Sequence, residues 1–143
     1  MPPAKDTELW DVRFFRRHKD DDPTQSCPGF GFLTAIDARA AQKLRKILRG
    51  VAEAPPPSWS GGGTWEAMHD DMAGYYEART ELEEWLYRLF CLLEREEEGL
   101  SNPSIIVIDG LKKKKRTRIR PQDYGRVRQL GEEYKKRRPR SVF

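Results

Sequence analysis

From Trp10 the chain alternates: Trp10, Val12 and Phe14 fall to one side, Asp11, Arg13 and Phe15 to the other. A period of two among strand formers predicts a half-buried strand ending near Arg17. His18 to Pro28 has no periodicity and reads as loop, and the chain turns helical from Gly29, where Leu33 and Ile36 form a short apolar turn. Asp37 then stands at an N-cap position before ARAAQKLRKILRGVAEA, whose Leu44, Ile47, Leu48 and Val51 recur at helical spacing and form the predicted buried face. Pro55, Pro56 and Pro57 stop that helix, because proline offers no backbone donor and drives its predecessor out of the helical region. Ser58 to Gly63 extends the break into a long internal loop leading to Trp65 and Met68.

The stretch Gly74 to Leu93 has two competing patterns. Leu82, Trp85, Leu86, Leu89 and Leu93 are at helical spacing, yet Tyr75, Tyr76 and the apolar run Leu86 to Leu93, broken by Arg88, suit a buried sheet. The stretch is read as two strands joined by a turn at Thr80 to Glu84. Glu94 to Pro103 is then an acidic loop or hairpin tip, and Ser104 to Asp109, with four consecutive β-branched residues, is a central strand. Pro121 suits a first helical position, and Tyr124, Val127, Leu130 and Tyr134 carry a closing helix to about Arg138. The expected fold class is α+β: a small antiparallel sheet packed by two N-terminal helical segments and a C-terminal helix. One domain spans residues 1–143, with residues 1–9 a loose extension.

Charge sharpens this picture. The last 33 residues, Leu111 to Phe143, carry 14 Lys or Arg against three Asp or Glu, while the 110 before them carry 13 against 20. The formal +4 therefore conceals one end near +11 and a remainder near −7. Lys112, Lys113, Lys114, Lys115, Arg116, Arg118 and Arg120 form the densest cluster, which is either a solvated basic patch or the footprint of a polyphosphate partner such as nucleic acid. No run of about 18 apolar residues and no charged start leading into an apolar stretch occurs, so neither a membrane span nor a secretory signal is expected, and the cytoplasm is the expected compartment. Cys27 and Cys91 stand far apart without a CxxC, and His18 and His69 are the only histidines, so no zinc site, disulfide framework or other cofactor is expected.

Arg88 is the first candidate for chemistry, the one charge in the apolar YRLF segment, on the strand face of Leu86 and Phe90. A guanidinium kept there is held either by an acid, Glu77 or Glu81 on the adjacent strand, or by a ligand phosphate through two parallel hydrogen bonds. Arg79 on the neighbouring strand either shares that surface or is an exposed edge charge. Lys113, Lys114, Lys115 and Arg116 follow the central strand and are delivered together to one rim. Tyr124, in the first turn of the last helix, either reaches a phosphate on that rim or packs on the sheet. His69 with Asp70 and Asp71 has the look of a base beside a carboxylate, but lacks a Ser or Cys partner and is read as a loop residue. Glu81–Glu84 and Glu94–Glu98 show no metal-ligand spacing and read as solvated acidic segments.

Taken in order, WDVRFF, a helical pair ending before a Gly/Pro loop, GYYEART, WLYRLF, SIIVIDGLKKKKRT and a helix with EEYKKR resemble the RelE/HigB/ParE toxins of type II toxin–antitoxin modules, in particular the phage-related HigB-like branch. The likeness spans about Trp10 to Arg138. It implies a RelE-like microbial RNase fold and an endoribonuclease, an mRNA interferase that cuts mRNA on the ribosome without a metal: the ribose 2′-hydroxyl attacks the adjacent phosphate. A cognate antitoxin, the ribosome and mRNA are the implied partners. Arg88 matches the arginine of the family's YR strand, Lys113 to Arg116 its basic segment, and Tyr124 falls near a functional tyrosine of some members. Arg88, Lys113, Arg116 and Tyr124 are thus the implied catalytic residues, and Arg79, Lys112, Lys114, Lys115, Arg118 and Arg120 the implied RNA contacts. The pattern is departed from where Tyr75 and Tyr76 replace basic residues and Asp109 replaces a histidine, and the general base is left unassigned. The resemblance also admits a ParE-like inhibitor of DNA gyrase without nuclease activity, and composition alone admits a non-toxic basic nucleic-acid-binding protein.

Overall fold

The computed structural model describes residues 9–54 and 63–143. All but Leu9 of the expected loose start at residues 1–9, the triple proline and most of the Ser58 to Gly63 loop lie outside them. The chain runs β1 (Asp11–Phe14), α1 (Pro28–Ala35), α2 (Ala38–Glu53), β2 (Trp65–Ala67), a 3₁₀ turn at Asp70–Met72, β3 (Tyr76–Leu82), β4 (Trp85–Glu94), β5 (Ser104–Lys114) and α3 (Pro121–Lys136). It is an α+β fold with a five-stranded sheet in the order β1-β5-β4-β3-β2. The expectation of a wholly antiparallel sheet is corrected: β1 lies parallel to β5, Asp11 opposite Ser104 and Phe14 opposite Val107, and the sheet is mixed. The two helices between β1 and the later strands provide the long crossover that parallel pairing requires.

The helices sit on opposite faces. One face buries Leu33, Leu44, Leu48 and Val51 of α1 and α2 against Ala78, Tyr87, Leu89, Cys91, Ile105 and Val107. The other buries Val127 and Tyr134 of α3 against Phe90, Leu92, Ile106 and Ile108. α2 begins as its sequence predicts, the Asp37 carboxylate accepting from the Arg39 N–H at 2.8 Å. The reading of Gly74 to Leu93 as two strands holds, but the expected turn at Thr80 to Glu84 is corrected: Thr80 to Leu82 pair within β3, and only Glu83 and Glu84 separate it from β4. Burial on both faces of β4 decides against a helix, which would show one apolar stripe.

Three boundaries differ from expectation. β1 stops at Phe14, not Arg17; Trp65 to Ala67, read as the end of a loop, pairs with Tyr76 to Ala78 as an edge strand. β5 does not end at Asp109 but continues to Lys114, so most of the lysine run belongs to the strand. Its register shifts where Phe90 pairs with Asp109 and Cys91 with Val107, leaving Ile108 as an extra residue. This bulge turns both Ile108 and Asp109 toward α3 and sets Gly110 under Phe32 of α1.

Candidate active site in a charged cleft

The α3-side face of the sheet is covered only in part. Beyond the first turn of α3, where Tyr124 meets Phe90 edge to face at 6.1 Å, the face continues as Glu66 on β2, Glu77 and Arg79 on β3, Arg88 on β4 and Lys113 on β5. Strand alternation brings these charges together: Glu66 is opposite Glu77, Arg79 opposite Arg88, and Leu86, two residues before Arg88, opposite Lys113. Glu77 is the centre. Its side chain is 9% exposed; one oxygen accepts from Arg88 Nη1 at 3.2 Å and the other lies 3.7 Å from Arg79 Nε. Arg79 is tied more closely to Glu66, at 3.1 Å, and donates to the Gly63 carbonyl. Of the two readings of Arg88, the ion pair to Glu77 is thus present. Arg79 is half-buried on an interior strand, and its reading as an edge charge is corrected.

Glu77 also lines a cleft of about 480 Å³ between the 3₁₀ turn and the start of α3, with His69, Met72, Pro121, Tyr124 and Arg128 on its walls. A neighbouring hollow of about 440 Å³ holds Arg79, Leu86 and Arg88. Glu77 lines the first and is paired with Arg88 of the second, and Tyr124, His69 and Arg128 line the first beside it. A larger hollow of about 590 Å³, beside the far end of α3, has less to offer: its Arg17 is bound to Glu133 at 2.8 Å and its Arg126 to Asp109.

The basic run divides by strand geometry. Lys113 is on the cleft face and donates to the Thr117 carbonyl. Lys112 is on the opposite face, its ammonium 4.2 Å from the Trp85 ring centre, because the two-residue period of β5 turns it away from Lys113 and Arg88. Lys114 and Lys115 reach back to Glu84 and Glu81 at 4.0 and 3.1 Å, and Arg120 pairs with Asp123 at 3.2 Å. Arg116, held at φ 69, and Arg118 are exposed in the turn before α3. Glu94 and Glu97, expected as part of a solvated segment, instead hold the 6% exposed Arg140 at 3.4 and 3.6 Å, which corrects that reading. Burial pushes the Asp109 carboxyl above the usual range, against the opposing pull of the Gly110 N–H and the Arg126 guanidinium.

Sequence reasoning named Arg88, Arg79, Lys113 and Tyr124, but weighed Glu77 only as a counter-charge, set His69 aside and did not consider Arg128. The signal for Arg128 was its spacing of four from Tyr124 on one helix; nothing local joins His69 to β3. Among the described residues no group of three or more His, Cys, Asp or Glu is disposed to hold a metal ion, and no helix is long and apolar enough to cross a membrane. No protein-family model, curated protein or solved structure matches the chain, which leaves this cleft and its charges as the guide to function.

Proposed function

We propose that this protein is an endoribonuclease that arrests translation by cutting mRNA on the ribosome, as the toxin of a type II toxin–antitoxin module with a cognate antitoxin as its partner. The sequence pattern resembling RelE/HigB/ParE toxins supplies the class. The observation that carries the reading is the ion pair of Arg88 with Glu77, which links a hollow holding Arg79 and Arg88 to a cleft holding Glu77, Tyr124, His69 and Arg128, beside the exposed Arg116 and Arg118. Guanidiniums match phosphate oxygens in pairs, and a site rich in them stabilises the charge that grows on phosphorus when a 2′-hydroxyl attacks. Tyr124 is positioned by Phe90 to orient the phosphate, and Lys113 adds a cation on the same face.

The test is in vitro translation of a defined mRNA with purified protein, mapping new 5′ ends by primer extension. Arg88→Ala alone is a poor control, because it strands the Glu77 carboxylate and unsettles the fold. Arg88→Lys keeps the charge and removes the fork, and should slow cleavage by about 10²- to 10³-fold, the scale set by losing one transition-state donor. Ribosome-dependent cuts that weaken in this variant support the reading. Intact mRNA with folded wild-type protein sinks it and turns attention to gyrase, with supercoiling as the assay.

A further inference from the structure

We infer that Glu77 accepts the proton from the attacking 2′-hydroxyl and that His69 delivers a proton to the departing 5′-oxygen; this rests on the ribonuclease reading above. Glu77 is one of three buried polar or charged residues among those described, with Ser104 and Asp109. A buried ion pair is seldom a source of stability, since apolar residues of the same shape serve as well. Nor is Glu77 needed to neutralise Arg79, which Glu66 already holds at the shorter distance of 3.1 Å. What distinguishes Glu77 is its place, on the wall of a cleft shared with Tyr124, His69 and Arg128.

A bound phosphodiester competes for the same guanidiniums. As Arg79 and Arg88 turn their N–H groups to phosphate oxygens, the Glu77 carboxylate loses its partners while facing the cleft where the ribose lies, and it is then the nearest acceptor for a hydroxyl proton. Substrate binding thus arms the base. Imidazole is the side-chain type that both holds and releases a proton near neutral pH. His69 stands on the same cleft, exposed, directly before the 3₁₀ turn. In the step, the 2′-O–H proton passes to Glu77 as the 2′-oxygen bonds to phosphorus. The bond from phosphorus to the 5′-oxygen breaks with its electron pair, and that oxygen takes the proton from His69. The products are a 2′,3′-cyclic phosphate and a 5′-hydroxyl, with one proton moved from His69 to Glu77 for solvent to return.

The experiment is single-turnover cleavage of mRNA on programmed ribosomes, using an ordinary message and one with sulfur replacing the 5′-bridging oxygen at the cut site. A thiolate leaves without a proton, so it removes the need for an acid and leaves the need for a base. Glu77→Gln, whose amide oxygen still accepts from Arg88, and Glu77→Asp should be slow on both messages, Glu77→Gln by about 10²- to 10⁴-fold, with ribosome binding near wild type and a melting temperature no lower than that of Arg88→Lys. His69→Gln should be slow on the ordinary message, by a similar range, and recover to within about tenfold of wild type on the sulfur message. A merely structural role for His69 does not produce that split, and one for Glu77 shows as lost ribosome binding or a melting temperature below that of Arg88→Lys. Glu77→Gln at more than about a tenth of wild-type rate, or a His69→Gln defect that persists with sulfur, overturns the assignment. Wild-type protein that cuts neither message overturns the ribonuclease reading itself and this one with it.

Discussion

Asp22 shows how much one side chain can organise. Its carboxylate accepts from the N–H and hydroxyl of both Thr24 and Ser26, at 2.6 to 3.0 Å, and so closes the loop between β1 and α1. The Ser26 hydroxyl, then that of Thr24, pulls the carboxyl well below the usual carboxylate range. A folded-state value below the unfolded one means that the unfolded chain binds more protons as pH falls, so the contribution is present above the ordinary carboxylate range and lost beneath it. Asp22→Asn should therefore lower the melting temperature at pH 7, with the deficit narrowing progressively as pH falls below about 4, as followed by circular dichroism. Cys91 is a contrasting case: full burial pushes its thiol up, so a thiol reagent should label Cys27 in the native protein and reach Cys91 only after unfolding. Gly110 is required by close approach, since a β-carbon there would overlap the Phe32 ring. Gly110→Ala should cost about 1–3 kcal/mol in chemical denaturation, the usual penalty of overpacking.

Elements whose burial has a single period are legible in the amino-acid sequence alone. Asp37 and the leucines after it give α2, Pro121 and the Tyr124–Tyr134 spacing give α3, and the β-branched run gives the start of β5. The hairpin of β3 and β4 is readable only against its helical spacing, because a strand buried on both faces has no alternation to show. The parallel pairing of β1 is not legible, since strand partners across ninety residues leave no local mark. The charged cleft is legible one strand at a time: Arg79 and Arg88 stand out in sequence, but their junction with His69 and Tyr124 is made by sheet register and by the position of α3. At this scale the tip of the β3–β4 hairpin is an electrostatic rival for RNA, with Glu81 of β3 and Glu84 of the turn occupying Lys115 and Lys114. Replacing both glutamates with glutamine should tighten RNA binding at low salt and leave the melting temperature nearly unchanged, because exposed pairs contribute about 0–1 kcal/mol each.

Across the whole molecule, the cations divide into those engaged by carboxylates and those available to a polyanion. Near the cleft, Lys113, Arg116, Arg118 and Arg128 have no carboxylate partner among the described residues. If these four meet RNA phosphates, the logarithm of the binding constant should fall against the logarithm of salt with a slope of about −3, reduced by about 1.4 in a double Arg116→Ala, Arg118→Ala variant. A slope indifferent to those changes would mean that RNA docks elsewhere. The register of β5 beyond the bulge at Ile108 determines which cations join this set, and in doing so makes chain length itself a determinant of chemistry. Deleting Ile108 would remove the unpartnered residue and leave Asp109 opposite Phe90, Lys112 opposite Tyr87 and Lys113 opposite Leu86, each on its present side, whereas deleting Leu111 would carry Lys112 to the cleft side and Lys113 to the side of Trp85. A gene that lost the Ile108 codon would still encode the same two sides, while one that lost the Leu111 codon would encode the same cations with their sides exchanged, so at this strand the place of an indel decides its effect.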